Sequence, residues 1–173
     1  YLVNDACVVA GRPLVSGAAL QWEGQLTVYN YKDGPCYRCL YPEAPPAAAI
    51  TNCDAGGVIG AVTGIIGSMQ ALETIRLLSG LPCHYAGKLY FFDAASGLNK
   101  TVKLRGRQST CMCSSPETAR LCDSYEVFCG SSATDKTPSV LVLQPEDRMS
   151  TIEYNREHFH NRLLIDVGPL THF

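Results

Sequence analysis

Four of the nine cysteines in this 173-residue chain stand at spacings that suit a metal ion. Cys36 and Cys39 flank Tyr37 and Arg38, with the turn formers Asp33, Gly34 and Pro35 before them and Pro42, Pro45 and Pro46 after them. Two thiolates separated by two residues can turn toward one tetrahedral ion, and the flanking prolines and glycine should keep them out of regular structure. Such a site needs two more ligands. Cys111 and Cys113, with Cys122 and Cys129 further on, are the supply, although a single intervening residue suits a tetrahedral pair less well than the wider usual spacing. The expected centre is one structural zinc held by Cys36, Cys39, Cys113 and Cys111. A redox-active CxxC is the alternative; it wants a strand before it and a helix directly after it, and prolines stand where that helix would be. Two unrelated core cysteines are the third reading, and turn-rich segments seldom bury free thiols.

Cys53 invites a different chemistry. It lies between Asn52 and Asp54, is followed by Gly56 and Gly57, and precedes a stretch with helical spacing through Val58, Val62, Ile65, Met69, Leu72 and Ile75. A thiol on a glycine-flanked loop near a helix N-terminus has the access and the field that favour a nucleophile. Asp54 opposes this by disfavouring the thiolate. On the residues alone, a catalytic cysteine and an ordinary loop cysteine stand level.

The elements that must position these residues follow from local pattern. The segment 1–10 reads as the end of a helix, with Cys7 in its apolar face. Leu14–Leu20 and 26–31 read as strands, with Gly24 as the break between them and Trp22 packed at the junction. The proline-rich run 42–51 should cross the surface as an extended linker delivering Cys53. After it, 52–78 reads as a loop feeding a buried core helix, on which Gly60, Gly64, Gly67 and Ser68 leave one side open to close approach by another backbone. Ser79-Gly80-Leu81-Pro82 ends that helix. Lys88–Asp93 and 101–105 read as a hairpin joined around Ser96-Gly97. From Gly130 to Ser139 the composition turns small and polar, which marks a boundary; Ser150 to Glu153 carries a helix start, and 163–167 (LLIDV) reads as a short buried strand.

Composition removes several function classes. Lys and Arg number 14 against 16 Asp and Glu, so there is no basic surplus for direct nucleic-acid binding. No charge falls between Asp54 and Glu73, yet Thr63, Ser68, Gln70 and five glycines interrupt that run, and Glu73 and Arg76 continue its period, so a core helix is expected and not a membrane span. A hydrophobic fraction of 46% suits a real core and argues against a disulfide scaffold. A reducing, cytosolic setting is expected. The chain opens at Tyr1 in mid-pattern and reads as a fragment of something longer.

Assembled, these residues resemble the MoeB/ThiF family of adenylating enzymes that activate ubiquitin-like proteins, and within it the molybdopterin-synthase sulfurylase branch, which joins an adenylyltransferase domain to a rhodanese-like sulfurtransferase domain. The resemblance rests on CYRCLYP, on NCDAGGVIG with its helix through ALETIRLLSG, on FCGSSATDK and on LLIDV. It implies an α/β fold: the C-terminal half of a ThiF-type Rossmann-like adenylation domain over 1–129, a linker over 130–149, and the start of a rhodanese-like domain over 150–173. It implies that ATP and magnesium adenylate the C-terminal glycine of a ubiquitin-like sulfur-carrier protein, which becomes a thiocarboxylate for molybdenum cofactor biosynthesis and tRNA 2-thiolation. Cys53 matches the family's crossover-loop cysteine, and Cys36 with Cys39 its first zinc pair; a homodimer is a further expectation from relatives of this fold.

Three features depart from the family pattern. Its second zinc pair is usually CxxC, and here it is Cys111-Met112-Cys113. Gly168 stands where the rhodanese strand usually has arginine. No strand–GxGxxG–helix phosphate loop occurs within the 173 residues, so the main ATP site is expected outside them. The competing reading is a non-catalytic, zinc-stabilised binding module.

Overall fold

Four residues after a short first helix, the chain begins a meander of antiparallel strands onto which one long helix is laid. In this computed structural model residues 1–46, 49, 56–115, 117 and 119–130 are described, and all of them fall in one compact unit, Tyr1–Thr137. Helix α1 is Leu2–Val9, strand β1 Leu14–Leu20, strand β2 Glu23–Tyr29, the one-turn helix α2 Tyr37–Leu40, helix α3 Gly60–Leu78, strand β3 Lys88–Asp93, strand β4 Leu98–Lys103, and helix α4 Tyr125–Cys129. A 3₁₀ turn covers Met112–Ser114. Among the described residues the strands form one sheet in the order β1-β2-β3-β4, every neighbouring pair antiparallel.

The β1–β2 register runs from Leu14 opposite Tyr29 to Leu20 opposite Glu23, which leaves Gln21 and Trp22 as a two-residue turn. Gln21 holds φ 52 there, a backbone state that usually goes to glycine. Two bonds hold it in place: the Gln21 N–H donates to the Gly57 carbonyl (2.9 Å) and the Ile59 N–H donates to the Gln21 carbonyl (3.0 Å). The strained turn thereby fastens Gly57 and Ile59 to the end of the sheet.

Helix α3 crosses β1 and β2 and buries Val62 and Ile66 against them. It can come this close because two strand residues are glycine. A Cβ on Gly17 would lie 2.5 Å from Gln70 and 2.7 Å from Ile66, and one on Gly24 would lie 2.6 Å from Ile66. Gln70 Nε2 also donates to the Val15 carbonyl at 3.2 Å. Lower on the helix, buried Glu73 accepts from the N–H groups of His84 and Tyr85 at 2.8 and 3.4 Å, and the Tyr85 carbonyl in turn accepts from the Val28 N–H at 3.2 Å. The carboxylate thus sets the loop that leads into β3.

Several expectations need correction. Gly24 is not a break; it lies inside β2, and its missing side chain is what admits Ile66. Trp22 does not pack at the junction but stands at the turn, 51% exposed. The central helix buries Val62, Ile66 and Glu73 and leaves Ile65, Leu72 and Ile75 exposed, because apolar residues occur on more than one of its faces and the sheet covers only one. A Cβ on Gly60, Gly64 or Gly67 would meet no described atom within 4 Å, so no described backbone approaches that side. Cys7 is half-buried; α1 turns Asn4, Asp5 and Val8 inward instead. Strand β4 starts at Leu98, earlier than expected. The CxxC segment forms a helical turn, with the prolines following it as expected. Cys53, positions 47, 48, 50 and 51 of the linker before it, the 130–149 linker beyond Gly130 and the rhodanese-like start at 150–173 lie outside the described residues. No helix among the described residues is long and apolar enough to cross a membrane.

Candidate metal centre

Two short turns built alike bring the cysteines together. After β2 the chain reverses tightly: Asn30 and Lys32 take φ 53 and 52, the Gly34 N–H donates to the Tyr31 carbonyl, and the Asn30 N–H donates to the Pro35 carbonyl, both at 2.9 Å. That reversal delivers Cys36 as the residue capping α2, whose turn carries Cys39 inward, with the Cys39 N–H on the Cys36 carbonyl at 3.1 Å. Far along the chain Cys111 likewise caps the 3₁₀ turn that holds Cys113, and the Ser114 N–H donates to the Cys111 carbonyl at 2.9 Å.

The four sulfurs lie within 4.8 Å of one another. Cys36 and Cys39 are 4.0 Å apart, Cys36 and Cys111 3.5 Å, and Cys39 and Cys113 3.4 Å, all four being free thiols. A tetrahedral ion with metal–sulfur bonds of about 2.3 Å needs sulfurs about 3.8 Å apart, so small shifts would seat one. Cys36, Cys39 and Cys113 are buried, with Val8 in the same cluster and Met112 and Ala119 packed against it.

The electrostatics ask for a cation. Burial pushes Cys39 up, but N–H groups of Gln108 and Cys36 and the neighbouring thiols outweigh it and leave this thiol below its ordinary value. The Gln108 N–H is 3.4 Å from the Cys39 sulfur. Burial, with thiol neighbours adding to it, pushes Cys111 up to about 11 and Cys113 higher still. Four sulfurs so close cannot all be anionic unless a positive charge sits among them, and a divalent ion would supply it. The donor set is soft and closed, with three of its four cysteines buried and Cys111 half-buried, which fits zinc in a structural role, with no ligand position left for a substrate.

Residues that spacing did not single out complete the frame. Arg107 binds both loops at once, donating from Nε to the Gly34 carbonyl (3.1 Å), from Nη2 to the Lys32 carbonyl (2.6 Å) and from Nη1 to the Cys113 carbonyl (2.9 Å). Arg38, between Cys36 and Cys39, forms a two-pronged ion pair with Asp5 of α1. Asp5 is fully buried and also accepts from Tyr125 Oη at 2.8 Å and Asn4 Nδ2 at 3.0 Å. The Arg38 guanidinium lies 4.3 Å from the Phe128 ring and 5.0 Å from the Tyr1 ring. The one signal in the sequence was a charge, Asp5, on the inward side of an apolar helix. Cys122 stays apart from the four, its thiol directed to the Ser124 carbonyl, and borders a cleft of about 630 Å³ beside the cluster together with Arg105 and Arg120.

The model of the ThiF family matches residues 1–113. The chain is 51% identical over 98% of its length to the adenylyltransferase and sulfurtransferase MOCS3 of Xenopus laevis, and 52% identical over 98% to that of Sus scrofa. It spans 38% of the length of each. Among solved structures, Escherichia coli MccB, alone and with MccA-N7isoASN, matches with a TM-score of 0.51 at 15% identity, covering 63% of this chain and 34% and 35% of those chains; this is a likeness of fold.

Proposed function

Since this chain belongs to the ThiF family, we propose that it is the metal-bearing part of an ATP-dependent adenylyltransferase and sulfurtransferase, the activity for which its relatives are named. In this reading the larger protein uses ATP and magnesium to adenylate the C-terminal glycine of a ubiquitin-like sulfur-carrier protein and helps convert it to a thiocarboxylate, which serves molybdenum cofactor biosynthesis and tRNA 2-thiolation. The single observation that carries it is identity of about half, sustained over 98% of the chain.

Each site residue takes one role. Cys36, Cys39, Cys111 and Cys113 hold a structural zinc, which when bound supplies a cross-link between two loops and no step of the reaction. Cys53 is the nucleophile, or the shield, for the activated acyl group: an acyl-adenylate is already a good electrophile, so the thiol needs only access. The fastening of Gly57 and Ile59 to Gln21 supports this, because it fixes one end of the loop that bears Cys53. Residues 1–129 belong to the adenylation domain, 130–149 to a linker and 150–173 to the start of a rhodanese-like domain. A cytosolic setting and a homodimer belong to the same reading.

The test uses the longer protein that contains this chain, incubated with ATP, magnesium and a ubiquitin-like sulfur carrier. Carrier-dependent release of pyrophosphate, followed by a thiocarboxylated carrier in the mass spectrum, is the expected result. Neither product from a folded preparation would contradict the proposal.

A further inference from the structure

Helix α4 has only five residues, and none of them is buried. An isolated helix of that length does not persist in water. Its own devices are modest: Ser124 Oγ accepts from the Val127 N–H at 3.3 Å, and Gly130 closes the end at φ 67. What holds it runs outward to one place. Tyr125 donates to Asp5, Phe128 stacks on Arg38, and Phe128 meets Tyr1 edge to face at 4.9 Å. Cys122 joins in through its N–H, which donates to Tyr125 Oη at 3.2 Å.

Arg38 is therefore the centre of the contact, and its position is decided by the cysteines on its chain. It stands directly before Cys39 in a turn whose two ends are both sulfur donors. With an ion bound, the turn is closed at both ends and Arg38 is held where the Asp5 carboxylate and two rings can meet it. Without that closure the turn keeps, within itself, the Cys39 N–H on the Cys36 carbonyl and the Tyr41 N–H on the Tyr37 carbonyl, and from outside the Tyr37 N–H on Asn4 Oδ1 (2.8 Å) and Arg105 Nη2 on the Leu40 carbonyl (2.6 Å), bonds to its backbone that leave the Arg38 side chain to the ion pair and the two rings. The network is demanding in return: a buried carboxylate and guanidinium are stable together only while their remaining donors and acceptors are matched, and α4 supplies part of that match.

Resting on the reading of the four cysteines as a zinc site, we propose that zinc binding and the docking of α4 are one coupled equilibrium, with Arg38 as the socket and the 122–130 segment as the plug. The metal then does more than staple two loops: it fixes the point from which residues 131–173 continue. Coupling of this kind is reciprocal, so undocking α4 must weaken zinc by the factor by which losing zinc undocks α4.

The experiment takes the whole 173-residue chain, counts its zinc, and follows amide hydrogen exchange before and after chelation. Chelation is expected to raise exchange at least about fivefold across residues 125–129 while α3 keeps its protection. In a competition with a chromogenic chelator, Phe128→Ala and Arg38→Gln, which leave all four thiols in place, are expected to bind zinc at least about fivefold more weakly than the parent chain. Unchanged protection of 125–129 after zinc is removed would overturn the coupling, as would parental zinc affinity in both variants. Loss of protection in α3 along with α4 would also overturn it, since the metal would then hold the whole fold and not a latch. A folded chain that binds no zinc defeats the reading of the cluster itself, and the zinc count separates that result from the others.

Discussion

Arg38 and Asp5 meet prong to prong, Nε to Oδ1 at 2.7 Å and Nη2 to Oδ2 at 2.6 Å, joining the turn between two cysteines to the first helix of the chain. Burial alone would push the Asp5 carboxyl up; hydrogen bonds from Arg38, Tyr125 and Asn4 outweigh it and hold the group below its usual range. The folded protein therefore binds this proton less tightly than the unfolded chain. The stabilisation is complete above the unfolded carboxyl value of about 3.9 and is lost as pH falls through the lower folded value. Asp5→Asn, which strands a mostly buried guanidinium, should cost about 3 kcal/mol at neutral pH. Urea melts at a series of pH values should show the gap between parent and variant closing below about pH 4. A gap that stays constant into strong acid would remove the ion pair as its source.

Gly24 tests how α3 is seated. Its Cβ would stand 2.6 Å from Ile66 Cγ1 and 3.3 Å from Val62, so Gly24→Ala should destabilise the fold by about 2 kcal/mol. Trimming the opposing side chain with Ile66→Val should recover part of the loss, because the two sites share one contact. Additive losses in thermal melts would show that the helix does not rest on this glycine.

Cys53→Ala should leave stability within about 0.5 kcal/mol of the parent, since the glycines that follow at 56 and 57 impose little packing demand. In the longer protein it should strongly impair formation of thiocarboxylated carrier. Normal sulfur transfer would take Cys53 out of the mechanism, and a large stability loss would make it a core residue.

Nucleotide binding by the 173 residues alone should be weak. The glycines between Gly56 and Gly67 follow a proline-rich run and not a strand, and no lysine or arginine lies among them to meet phosphate. Calorimetric titration with ATP and magnesium should give no binding in the micromolar range. Micromolar affinity would place a nucleotide site within these residues.

What the sequence made legible was local. The whole of β1, the extent of β3 and the helix stop at Ser79-Gly80 follow from alternation and punctuation, and the structure has them at those residues. The cysteine spacing was enough to name four residues that the fold places within 4.8 Å. The failures are tertiary. Gly24 obeys the rule that glycine interrupts strands until Ile66, 42 positions later, is known to need its space. The buried face of α3 could not be chosen from a helix whose apolar residues lie on more than one side. Arg107 had no motif at all; it earns its place by reaching Gly34, a partner 73 positions away.

The most direct measurement of the account is the zinc content of the purified chain, read by elemental analysis for the parent, for Cys36→Ser with Cys39→Ser, for Cys111→Ser with Cys113→Ser, and for Cys122→Ser. The account predicts one zinc per chain in the parent and in Cys122→Ser, and its loss from both paired variants. A parent chain without stoichiometric zinc, or zinc that survives removal of both Cys36 and Cys39, would contradict it.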